Sequence, residues 1–89
     1  MDRDERILQR IRDIAGGPKN VTLEDIEWVI SQIDAHHDVK RRSFSHGILF
    51  RIDGLRFSVC THHRGSRQLK PSYIRNFLRV MSELGWYDE

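Results

Sequence analysis

The sequence predicts an α+β domain: a three-stranded antiparallel sheet with helices packed on one face and an extra helix at the N-terminus. Three observations predict it. Apolar residues recur at helical spacing up to Ile33 and again after Pro71, but they alternate singly between Val39 and Val59. The dipeptide Asp53-Gly54 divides the alternating stretch and is a strong two-residue hairpin signal. Charge is segregated as well: residues 1–39 hold five Lys/Arg against nine Asp/Glu, residues 40–79 hold ten against one, and residues 80–89 add three acids. The overall charge of +2 therefore conceals a basic segment whose sole acid is Asp53, the balance that a phosphate-binding surface requires.

Each element has a local cause. From Asp2 to Ala15, Ile7, Leu8, Ile11 and Ile14 fall on one helical face, and the acids of the first turn suit the positive end of a helix dipole. Gly16-Gly17-Pro18 ends that helix, and Lys19-Asn20 continue the loop. Thr22 is a good N-cap, with Glu24 and Asp25 behind it; Leu23, Ile26, Val29, Ile30 and Ile33 make the apolar stripe of a second helix, which Trp28 flanks. Val39 to Arg42 supplies a short first strand. Ile48, Phe50 and Ile52 alternate with Gly47, Leu49 and Arg51 in the second, and Leu55, Phe57 and Val59 alternate in the third. A two-residue turn at 53–54 pairs 52 with 55, 50 with 57 and 48 with 59, so six large apolar side chains share the face that meets the helices. Pro71 opens the last helix, whose inward residues are Ile74, Phe77, Leu78, Met81 and Leu84; Gly85 ends it, and Trp86 folds back onto its end.

A chain of 89 residues supports one core of modest size. Residues 1–19 are expected to form an N-terminal helix and loop, and residues 20–89 the main domain, which contains the basic segment. The lone Cys60 excludes an internal disulfide and suits a reducing compartment. No apolar run approaches the length of a membrane span, and the charged start Met1-Asp2-Arg3-Asp4-Glu5-Arg6 is unlike a signal peptide. A cytoplasmic protein is the expectation. The sequence carries no signal for oligomeric state.

The hairpin register, extended by two residues, places His46 opposite Thr61 at the open end of the apolar face and Ser45 opposite His62 on the other. It also places Arg51 beside Arg56, a like-charge pair that an anion would relieve. Phe44 shares parity with Ile48 and Phe50 and is expected on the core stripe, the alternative being a ring that stacks a nucleic-acid base. Arg75 and Arg79 lie four apart on the outer face of the last helix. Of the five histidines, His62 and His63 follow the last strand, and His36-His37 fall in a loop with no role assigned. No carboxylate or cysteine stands at ligand spacing with them, so no metal is expected.

Several short motifs fall on this framework in order: Gly17-Pro18-Lys19-Asn20-Val21 before the second helix, Ser45-His46 before an apolar strand, and Phe50-Arg51 near the Asp53-Gly54 turn. His62-His63 with Gly65 and Leu69-Lys70-Pro71 at the last helix complete the series. Each is weak alone; their order and spacing over residues 16–85 resemble the longer HicA-like toxins. The resemblance implies a fold like the double-stranded-RNA-binding domain and ribosome-independent mRNA cleavage. It also implies inhibition by a HicB-type antitoxin that covers the active site, and a catalytic histidine in a Gly-Ser-His motif. Here the motif reads Phe44-Ser45-His46, with Phe44 in the place of the family's glycine. Cleavage without a cofactor uses the neighbouring 2′-hydroxyl as nucleophile, which needs a base, an acid and cations around the phosphorus. Histidine, with an ordinary pKa of about 6.5, suits the first two tasks. His46 is thus the catalytic candidate, and Arg41, Arg42, Ser45, Arg64, Arg67 and Lys70 are the RNA-binding candidates. The same features suit a catalytically inactive module that holds RNA or a protein without cutting.

Overall fold

Asp2 opens the first helix: its carboxylate accepts the Glu5 backbone N–H at 2.8 Å, which satisfies one of the donors that a helix start leaves unpaired. In the computed structural model, which describes residues 2–60 and 68–88, this helix, α1, spans Arg3–Gly16. It buries Ile7, Ile11 and Ile14, the stripe its spacing predicts, in the same apolar cluster as the rest of the fold. Gly17 closes it by donating to the Asp13 carbonyl at 3.1 Å, and Pro18–Asn20 make a single 3-10 turn. The second helix, α2, spans Leu23–Ile33. At its start Asp25 accepts both the Thr22 backbone N–H, at 3.0 Å, and the Thr22 hydroxyl, at 3.2 Å, so the predicted cap is tied down from the third helical position.

Three strands follow, β1 (Val39–Phe44), β2 (Gly47–Ile52) and β3 (Leu55–Cys60), paired antiparallel in the order β1-β2-β3. Asp53 and Gly54 both have positive φ, 51° and 87°, the requirement of a two-residue turn whose twist matches that of its strands. The register that follows is the expected one, Ile52 with Leu55, Phe50 with Phe57 and Ile48 with Val59. Phe50, Ile52, Phe57 and Val59 are buried; Ile48 and Leu55 pack at the margin of the same cluster. Phe50 stacks on Phe57 at 5.2 Å between centroids, and Phe57 meets Phe77 of the last helix edge-on at 5.8 Å, geometries that add to the burial of the rings themselves.

The first strand departs from expectation. It runs two residues beyond Arg42 to Phe44, and Ser45-His46 become the turn that joins β1 to β2. Phe44 pairs with Gly47 and lies 50% exposed instead of in the core. Parity counted along one strand does not survive a chain reversal: residues that pair share a face, so Phe44 takes the face of Gly47, opposite to Ile48 and Phe50.

The last helix, α3, spans Pro71–Glu83 and buries Ile74, Phe77, Val80 and Met81, with Leu78 and Leu84 partly covered. Val80 is a core position that the expected stripe omitted. Gly85, at φ 88°, donates to the Ser82 carbonyl at 3.1 Å, and Trp86 donates to the Met81 carbonyl at 2.8 Å. These two bonds satisfy orphan carbonyls and turn Trp86 back onto the helix end. Leu69, buried, ties the approach to α3 to the start of α2 through a 2.8 Å bond from its N–H to the Val21 carbonyl. Among the described residues, no helix is long and apolar enough to cross a membrane.

Gly47 faces β3 so closely that a Cβ would sit 2.2 Å from the Val59 carbonyl oxygen and 3.0 Å from the Cys60 Cα. Backbone atoms cannot yield as a flexible side chain can, so Gly47→Ala is expected to destabilise the domain by about 1–3 kcal/mol in chemical denaturation. An unchanged midpoint would show that the β2–β3 approach is looser than these distances require.

Candidate functional site

The β1–β2 turn carries the catalytic candidate. His46 is exposed in that turn, beside exposed Ser45, and immediately precedes Gly47. Its partner across the sheet would be Thr61, and that of Ser45 would be His62; both lie outside the described residues, as do His63, Arg64 and Arg67. What fixes the neighbourhood is the Gly47–Cys60 pair, which brings the end of β3 to the base of the turn. At that end Tyr73, in the first turn of α3, hydrogen-bonds Cys60, and this contact with partial burial raises its phenol pKa above 10.0. The turn, the end of β3 and the start of α3 therefore share one end of the sheet. Lys70, the residue before α3, is exposed there.

The strands sort the cations onto two faces. β1, β2 and β3 hold Lys40, Arg41, Arg42, Arg51 and Arg56 and no acid. Arg41 pairs in register with Phe50 and lies on the helix side, its guanidinium 5.4 Å from the Phe50 ring centroid and 3.4 Å from a Glu27 carboxylate oxygen on α2. Lys40, Arg42, Arg51 and Arg56 have the opposite parity and are exposed on the outer face. Of the expected RNA-binding residues, Arg42 and Ser45 thus lie on or beside the face that His46 borders, whereas Arg41 is turned away and partnered. Arg51 and Arg56, expected from the sequence as a like-charge pair that an anion would relieve, stand directly opposite one another on that face. Their outward direction follows from strand alternation, because Arg51 lies between Phe50 and Ile52 and Arg56 between Leu55 and Phe57, whose side chains face the core.

A second histidine site occupies the far end of the sheet, where sequence reading assigned no role. His37 lies with its Nδ1 2.6 Å from Asp53 Oδ2, and its Nε2 accepts the Trp86 indole N–H at 2.8 Å. Indole can only donate, so Nε2 must carry the lone pair and Nδ1 the proton that is donated to the carboxylate. Asp53 Oδ1 accepts the Asp38 N–H at 2.8 Å. The imidazole thus links the end of α3, the segment after α2 and the β2–β3 turn. His36 lies beside it, 3.7 Å from Asp4 and 5.9 Å from the Trp86 ring. A shallow cleft of about 370 Å³ is lined by Asp4, Leu8, His36, His37, Leu84, Gly85 and Trp86. The strand β2 separates this end from His46, so the two histidines cannot act on one small substrate. Among the described residues no group of three His, Cys, Asp or Glu could hold a metal ion.

Comparison of the chain with protein-family models, with curated proteins and with solved structures finds no match. The interface is accordingly read from its own geometry.

The hydrogen bond from His37, then that from Asp38, holds the Asp53 carboxyl below its ordinary value of 3.8. A carboxylate favoured by the folded state contributes stability above the unfolded pKa and loses it as pH falls through the lower folded value. Acid titration of unfolding free energy is expected to show a decline beginning below about pH 4 that is reduced in Asp53→Asn; equal slopes in both chains would remove Asp53 from the linkage. Trp86→Phe, which deletes the indole donor to His37, is expected to cost on the order of 1 kcal/mol at neutral pH, measured by denaturant unfolding.

Proposed function

We propose that the chain is a HicA-type mRNA endoribonuclease, built on a fold like the double-stranded-RNA-binding domain, with His46 as its general acid or base. One juxtaposition carries the reading: an exposed histidine in a tight turn at the end of a three-stranded sheet whose outer face holds four cations and no acid. RNA brings its own nucleophile. The 2′-hydroxyl oxygen attacks the adjacent phosphorus as a base takes its proton, the bond from phosphorus to the 5′-oxygen breaks, and an acid protonates that oxygen, leaving a cyclic phosphate and a free 5′-hydroxyl. His46 would serve one of the two proton transfers, worth about a hundredfold to ten-thousandfold. Arg42 and Lys70 would offset the charge that grows on the phosphoryl oxygens. A HicB-type antitoxin would neutralise such a protein by covering the His46 turn.

A second reading is favoured by Phe44. Its ring is half exposed next to Ser45-His46, where the family has glycine, and it would suit a module that holds RNA by stacking and does not cut it.

The two readings part on one comparison. Purified chain is expected to cleave unstructured RNA in the presence of a chelator, and His46→Ala to lower the rate by about 10²–10⁴-fold without altering the far-ultraviolet dichroism. Expression in cells is expected to arrest growth with loss of bulk mRNA, and the variant to be harmless. Intact RNA with the unaltered, folded chain would sink the nuclease reading and leave the binding module.

A further inference from the structure

The outer face of the sheet is charged in a way that the folded chain does not compensate. Its rows follow from the register: Lys40, Arg51 and Arg56 lie side by side across all three strands, Arg42, Leu49 and Ser58 form the next row, and Phe44, Gly47 and Cys60 the last. Directly paired side chains stand about 5 Å apart at Cβ, and like charges so placed destabilise a sheet. Arg51 has such a neighbour on both sides. Elsewhere the fold does supply counter-charges, for Arg10 lies 3.6 Å from Asp25 and Arg41 lies 3.4 Å from Glu27. On the outer face Lys40 has one carboxylate at 3.9 Å, from Asp38, with both side chains largely in water. Arg42, Arg51 and Arg56 are in no ion pair among the described residues. A row of three cations without acids is complementary to a polyanion, and the rows lead towards the turn that carries His46.

Phe44 adds the second element. It is the exposed large hydrophobic side chain of the described residues, and it stands in the row nearest His46, two residues along β1 from Arg42. Guanidinium groups along one face with an aromatic ring at its end are what an unpaired strand uses: phosphates on the cations and a base on the ring. A duplex keeps its bases stacked inside and offers none to Phe44. The face also has the right dimensions for a single strand, about 10 Å across its three strands and about 13 Å from Lys40 to Phe44.

We propose that the outer face of the sheet is a track for single-stranded RNA, with Arg56, Arg51, Lys40 and Arg42 holding successive phosphates and Phe44 stacking the base beside the phosphodiester presented to His46. The inference rests on the proposed function for the identity of the ligand, and it adds where the strand runs and which residues hold it. Arg51 and Arg56 thereby become binding residues, whose mutual repulsion a bound phosphate would relieve.

The test is the binding of a short unstructured RNA, followed by fluorescence anisotropy at several salt concentrations, in a His46→Ala background that does not cut. Arg51→Glu with Arg56→Glu is expected to weaken binding more than tenfold and to flatten the salt dependence by about 1.4 in the log–log slope, the share of two phosphate contacts to a single strand. Phe44→Ser is expected to weaken binding between about fivefold and a hundredfold. The neutral pair Arg51→Gln with Arg56→Gln should weaken it by less, and removes the repulsion, so a folding defect cannot mimic the result. Arg6→Glu with Arg12→Glu on α1, which changes net charge equally, should leave affinity within about twofold. The track is overturned if the α1 pair weakens binding as much as the sheet pair, or if a duplex of the same sequence binds as tightly as the single strand. It is also overturned, with the nuclease reading intact, if the sheet pair placed in the His46 chain cuts RNA at the unaltered rate. If the intact sheet has no affinity for RNA at low salt and the His46 chain leaves RNA whole, both readings fall, and an acidic protein becomes the occupant that the charge fits.

Discussion

The turn at Asp53-Gly54 decides which side chains face which way, because a strand slipped by one residue would exchange its entire inner and outer sets. Positive φ at both central residues makes the loop two residues long, and the pairing of Ile52 with Leu55 follows. From that pair alone, Phe50 and Phe57 meet over the core and Arg51 meets Arg56 on the outside. Asp53 also holds the turn from its side chain, through the Asp38 N–H and the His37 imidazole. His37 extends the link to Trp86, whose position is set by the glycine that ends α3. The register of the sheet and the end of the last helix are thus joined in one chain of hydrogen bonds, in which the neutral imidazole donates at one nitrogen and accepts at the other.

One face of the sheet packs into the apolar core, and the charged side chains on the other, Lys40, Arg42, Arg51 and Arg56, are all cations. The helices contribute the acids, and these neutralise Arg10 and Arg41 on their own side. Among the described residues these four side chains are exposed, so their charge meets water or a ligand. A like-charge row on that face opposes folding. The two histidine sites divide along the same axis. His37 is engaged by the fold at the end of the sheet where the helices converge, and His46 stands exposed at the other.

Local signals carried most of the fold. Thr22 with Asp25, Asp53-Gly54, Pro71 and Gly85 each act within a few residues of themselves, so their effects could be read without coordinates. The helical stripes and the β2–β3 register were legible for the same reason. Phe44 was misplaced because its face depends on where the chain reverses, and Ser45-His46 lack the glycine or asparagine that would have announced a two-residue turn. Once the reversal is known, the exposed ring beside His46 follows from simple pairing.

The sequence by itself determined that the chain has a basic half, an alternating apolar sheet and a helix-period stripe on either side of it, since composition and period are properties of the chain alone. Tertiary structure decided which cations are neutralised and which remain available. Arg41 and Arg42 are adjacent and chemically identical, yet one rests against Phe50 and Glu27 and the other faces solvent. It also decided that His37 is held by a carboxylate and an indole, because its partners come from segments 16 and 49 residues away. Contacts across such separations are written in the packing of the elements and not in any local pattern.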